Sequence, residues 1–190
     1  MKILALGIFS VILLSACSSS PEPQASSSPP PISADTPGAA STSAPNSITI
    51  SKEIPYRDPS FIAENIKREC RIQEQLSEFI QAYGDEEGLN VSRADNINKD
   101  GPGVVLVVEI TNALSGGNPF IGHQKQTFIA GKLYDNGKEI ASFTGRRNSM
   151  GGVFGGFKGS CSVLGRTVKA LGKDVANWLK DPVMGAHLGD

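Results

Sequence analysis

Histidine is nearly absent. The 190 residues contain two, His123 and His187. Neither has the companions that a catalytic zinc site requires, so no metal and no cofactor is expected. Charge of one sign is also missing. Eighteen Lys and Arg stand against 19 Asp and Glu, a net of −1, which excludes the basic footprint of a nucleic-acid binder. Catalytic signatures are lacking too. There is no Gly-x-Ser-x-Gly elbow. With Lys158 taken as the lysine of a phosphate loop, Gly152 fits, but Phe157 replaces the second glycine. Gly159 then replaces the Ser or Thr that would hold magnesium. These gaps point to a protein that is not an enzyme. Serine and threonine are plentiful, so a hydrolase is the remaining enzymatic alternative.

What is present begins at Met1-Lys2, a short positive start. Ile3 to Leu14 is apolar apart from Gly7 and Ser10. That run is about a dozen residues, against the roughly 20 of a spanning helix, and suits the apolar region of a signal peptide. Leu14-Ser15-Ala16-Cys17 follows. It resembles the lipobox of bacterial lipoproteins, which implies cleavage after residue 16 and a diacylglyceryl group on the Cys17 thiol. Loss of Lys2 would leave 17 cationic side chains against 19 acidic ones. Ser18 rather than Asp after the cysteine implies sorting to the outer membrane of a two-membrane bacterium, or the outer face of the cell membrane where there is only one. Acylation at two or three chains implies a stable anchor.

Residues 18–47 read SSSPEPQASSSPPPISADTPGAASTSAPNS. With almost no apolar side chain to bury, this stretch cannot offset the entropy of ordering. It is expected to be a disordered tether, spanning roughly 30 Å as a coil and about 90 Å as polyproline II. The expected organisation is a signal peptide at 1–16, a lipidated cysteine and tether at 17–47, and one domain at 48–190.

Within the domain, Asp58-Pro59 reads as a helix start. Ile62, Ile66, Cys70, Leu76, Ile80 and Tyr83 continue at mostly helical spacing, with Gly84 as the stop. PGVVLVVEIT reads as a buried strand. KQTFIAGKLYDNGKEIASFTGRR reads as a hairpin turning at Asn136-Gly137. Short strands are expected at Leu89–Ser92 and Ser47–Ile54. Leu164, Val168, Leu171, Val175 and Trp178 form one face of a last helix, capped by Ser160 and ended before Pro182. The expectation is an α+β fold: a mostly antiparallel sheet of four to five strands with two helices on one face.

Cys17 apart, two cysteines remain. Cys70 and Cys161 each fall on an apolar helical stripe, and in an oxidising compartment they are expected to pair. The loop so closed is worth about 4.5 kcal/mol in a chain-entropy account.

GGVFGGFKGSC, residues 151–161, reads as a sharp exit from a strand into the last helix, or as a glycine zipper formed by Gly151, Gly155 and Gly159. The helix start offers free N–H groups to an anion, and Arg146, Arg147, Lys158 and Arg166 are the candidate anion or partner patch. SGGNPFIGHQK, residues 115–125, is a second glycine-rich loop.

The glycine-rich loops, the hairpin and the ending LGRTVKALGKDVANWLKDP resemble uncharacterised bacterial periplasmic lipoproteins. The strand–helix–strands–helix order is similar to that of the TolB amino-terminal domain and of the curli secretion lipoprotein's core. The resemblance implies an accessory or binding role at the envelope with a protein partner, and carries over no catalytic residue. Small-ligand or anion binding at 151–161 is the alternative. The sequence carries no signal of oligomeric state.

Overall fold

The computed structural model describes residues 47–118, 122–150 and 159–190. The expected signal peptide at 1–16, Cys17, the 18–46 part of the tether, residues 119–121 of the SGGNPFIGHQK stretch and residues 151–158 of the GGVFGGFKGSC stretch, with Lys158, lie outside the described residues.

The chain runs β1 (Ile48–Ser51), a 3-10 turn (Pro59–Phe61), α1 (Glu64–Glu69), α2 (Ile72–Glu86), β2 (Val91–Ala94), β3 (Val104–Asn118), β4 (Gly122–Asp135), β5 (Lys138–Met150), α3 (Ser160–Leu179) and β6 (Ala186–Gly189). The sheet order is β2-β1-β3-β4-β5-β6.

The α+β class holds, but the sheet differs from the expected one. It has six strands, and three of its five pairings are parallel: β1 with β2, β1 with β3, and β5 with β6. Only β3–β4 and β4–β5 are antiparallel. For β1 with β2 and β5 with β6 the reason is connectivity. A helix between two strands carries the chain back to the end where it began, and such crossovers give parallel neighbours. Helices α1 and α2 connect β1 to β2, and α3 connects β5 to β6.

The expected first helix is broken. The Asp58 carboxylate does accept from the Ser60 N–H at 2.9 Å, but it caps only the 3-10 turn. Ile62 is extended, and so is Cys70 (φ −109°, ψ 125°), which separates α1 from α2. Gly84 is not the stop. It lies inside α2, where a Cβ would meet the Val91 side chain at 2.6 Å. The terminating glycine is Gly88 (φ 78°), beyond which the Leu89 N–H reaches the Gly84 carbonyl at 2.8 Å. Nor does Ser160 cap α3. Gly159 holds that position without a side-chain bond, and Ser160 is the first helical residue.

The hairpin forms at Asn136 (φ 48°) and Gly137 (φ 82°), as a two-residue loop between β4 and β5 requires. Alternation then gives the sheet two unlike faces. One presents Ile48, Ile50, Leu106, Ile110 and Ile129 to Ile66, Leu76, Ile80, Leu164, Val168 and Leu171 of the helices, and this layer is the core. Phe143 closes its end edge-on against Trp178, with centroids 4.8 Å apart. A register shift between Ile110 and Asn112 keeps Ala113 and Ser115 on the helix side of β3.

Cys70 and Cys161 are joined, with Cα atoms 5.0 Å apart. The extended conformation at Cys70 ends α1 where the bridge to α3 is made.

Candidate functional site

The face of the sheet opposite the helices carries a groove of about 520 Å³. Alternation supplies its floor: Val107 and Glu109 from β3, Ala130 and Lys132 from β4, Ser142 and Thr144 from β5. His187 comes from β6. Its other wall is the segment between β1 and the 3-10 turn. There Tyr56 bridges to Ile110, and the Arg57 N–H donates to the Ile110 carbonyl at 3.0 Å. That placement lets Arg57 Nε donate to Glu109 Oε2 at 2.9 Å across the groove.

The polar groups around the groove are mostly in pairs. Lys132 Nζ donates to Glu139 at 2.8 Å, and the carboxylate raises the lysine above its ordinary value. Lys99 donates to Asp100 at 2.7 Å, is raised by it, and sits 5.6 Å from the Tyr134 ring centroid. Thr144 Oγ1 and His187 Nδ1 are 2.9 Å apart. Tyr56 is pushed up to about 12, by burial first and then by Glu53. A second groove of about 330 Å³ includes Phe128, Arg146 and Asp190. Paired charges beside aromatic and small apolar floor residues suit a ligand or peptide that offers both hydrogen bonds and apolar contact.

The structure does not gather the four expected basic residues. Arg146 and Arg147 are neighbours on a strand and so face opposite ways. Arg146 lines the second groove and donates to the Asp190 backbone carbonyl at 3.1 Å. Arg147 turns to the helix side and is held by Asp174 and Asp190. Arg166 is exposed on α3, and Lys158 lies outside the described residues. His123 is in β4 and His187 in β6. No three His, Cys, Asp or Glu side chains come together to hold a metal among the described residues.

Sequence reasoning passed over a second polar cluster. Ser115 and Lys125, the two ends of the SGGNPFIGHQK stretch, are register partners across β3 and β4. Lys125 is only 3% exposed, and its Nζ donates to Ser115 Oγ. Ser115 Oγ in turn donates to Ser160 Oγ at 3.4 Å. Burial pushes the Lys125 ammonium below the usual lysine value.

No protein-family model and no curated protein matches this sequence. Solved structures with partial likeness include three bacterial proteins. A minor lipoprotein from Acinetobacter baumannii has 13% identity and a TM-score of 0.43, covering 71% of this chain and 90% of that one. The PelC dodecamer from Paraburkholderia phytofirmans has 11% identity and a TM-score of 0.41, covering 67% and 86%. Lipoprotein GNA1162 from Neisseria meningitidis has 16% identity and a TM-score of 0.42, covering 70% and 99%. Two of the three are lipoproteins by name.

Proposed function

We propose that the protein is a lipid-anchored, non-enzymatic binding module of the bacterial cell envelope. In this reading Cys17 carries the anchor, residues 18–47 form the spacer, and the open sheet face is where a partner docks. The observation that carries it is the Cys70–Cys161 bridge. A cystine persists in oxidising compartments and is rare in the cytosol, which agrees with export and with the Leu14-Ser15-Ala16-Cys17 motif. The groove supports the binding role through its mixture of apolar floor and paired charge.

Metabolic labelling with a palmitate analogue tests the anchor. The wild type takes up label and fractionates with the outer membrane. Cys17→Ser takes up none and stays uncleaved or becomes soluble. A Cys17→Ser protein that still fractionates with the outer membrane at the wild-type level overturns the anchor. For the binding face, a photo-crosslinking amino acid is placed at Thr144, on the open face, and separately at Lys173, exposed on α3. Capture of an envelope protein from position 144 and not from 173 supports docking at the groove. Capture from neither, or from 173 alone, counts against it.

A further inference from the structure

Lysine is among the residues least often fully buried without an ionic partner. Lys125 is such a case. The pairing of Ser115 with Lys125 sends its side chain toward the start of α3. Among the described residues it has no carboxylate partner, and the Ser115 hydroxyl is its hydrogen-bond acceptor. A buried ammonium with one neutral partner is costly.

Its surroundings worsen that cost. Ser160 opens a 20-residue helix, and Gly159 before it supplies no side-chain cap. The first N–H groups of α3 therefore carry the positive end of the helix dipole toward the same place. A cation and a positive helix end converge with no negative group from the described residues between them. A bound anion would offset both.

The remaining parts suit one. Ser115 and Ser160 add two hydroxyls, each able to turn its proton outward. Access is provided where Gly159 lies, which is exposed and at which a Cβ would have nothing within 4 Å.

We propose that Lys125, Ser115, Ser160 and the first N–H groups of α3 form a binding site for a small oxyanion, a phosphate or a carboxylate. Lys125 supplies the charge, the serines supply oriented donors, and the helix end supplies the field. The site is separate from the open-face groove, and its occupancy does not depend on the lipid anchor.

The test uses the full chain in detergent. Thermal unfolding is followed during titration with inorganic phosphate, with acetate and with chloride at constant ionic strength. Phosphate or acetate, whichever matches the site, raises the melting temperature saturably and chloride does not; the effective anion identifies the ligand class. Lys125→Met keeps the length of the side chain and removes the charge. It should melt higher than the wild type without anion, and its titration midpoint should move by at least tenfold, about 1.4 kcal/mol. Ser160→Ala should weaken the response by a smaller factor, and Arg166→Gln should leave it unchanged. The phosphorus NMR linewidth of free phosphate, broadened by the wild type and not by Lys125→Met, reads binding without relying on stability. Equal effects of all three anions, or a Lys125→Met protein that titrates like the wild type, overturn the proposal.

Discussion

Arg147 and Asp174 meet fork to fork. Nε of the arginine lies 2.8 Å from Oδ2 of the aspartate, and Nη2 lies 2.9 Å from Oδ1. The remaining nitrogen, Nη1, donates to Asp190 Oδ1 at 2.6 Å. One guanidinium thus ties β5 to α3 and to the residue after β6, and the carboxylates hold it above its ordinary value. Truncation would leave Asp174, which is mostly buried, without its partner. Arg147→Ala should therefore lower stability by about 2 kcal/mol in urea unfolding. Arg147→Lys should recover less than half of that, because an ammonium cannot make the two parallel bonds. Full recovery by lysine would show that charge alone matters here.

Acid should loosen the same corner. The Asn148 N–H, and after it the Arg147 guanidinium, holds the Asp190 carboxyl below the usual range. Asp58 is lowered by Ser60, Glu64 by Lys67 and Glu74 by Arg71. A depressed carboxyl contributes stability that is complete above its unfolded value and is lost as pH falls through the folded one. Unfolding free energy should thus be flat near neutrality and decline below about pH 4. Asp190→Asn should make that decline shallower. An unchanged acid limb in the variant would remove Asp190 from the account.

The cystine gives a sharper test. Its ends are 91 residues apart, so reduction releases a long loop in the unfolded chain. Cys70→Ala should cost roughly 2–5 kcal/mol. Reductant should lower the melting temperature of the wild type and leave that of the variant where it is. Equal melting of the wild type, purified with its cystine intact, with and without reductant would show that the bridge contributes nothing.

Two helical glycines should respond with opposite signs. A Cβ at Gly172 would lie 2.5 Å from the Phe79 Cβ and 3.0 Å from its backbone carbon. The helix gain of about 1 kcal/mol is smaller than the 1–3 kcal/mol typical of overpacking, and backbone cannot step aside, so Gly172→Ala should destabilise. At Gly165 the nearest atom is Gln75 Oε1 at 3.5 Å, the end of a flexible side chain. Gly165→Ala should stabilise by up to about 1 kcal/mol. Thermal unfolding of the two variants side by side reads both signs.

What the sequence revealed followed the range of its signals. The apolar stripe of α3 and the Asn136-Gly137 turn are local patterns, and both appear where their spacing puts them. The pairing of Cys70 and Cys161 was legible because two cysteines remain beside Cys17, although Cys70 stands in the extended break between α1 and α2 and not on the helical stripe its spacing suggested. Strands β1, β2 and β6 are four residues each and gain their identity from partners far along the chain, so their parallel pairing left no local trace. The site residues behaved likewise. Arg146 and Arg147 look like one basic patch in sequence, yet the strand's alternation separates them. Lys125 lies in a glycine-rich stretch with no local signal of burial, and only its link through Ser115 to Ser160 of α3 gives it meaning.

The position of β1 sets the folding clock. It is the earliest described strand, yet in the sheet it lies between β2 and β3, and β3 pairs on its other side with the later β4. Such non-local pairing belongs to chains that fold in milliseconds to seconds rather than microseconds. Until the later strands arrive, Ile48 and Ile50, fully buried at the end, stay uncovered on a newly made chain. That interval, more than any state of the finished molecule, is when the chain is open to aggregation.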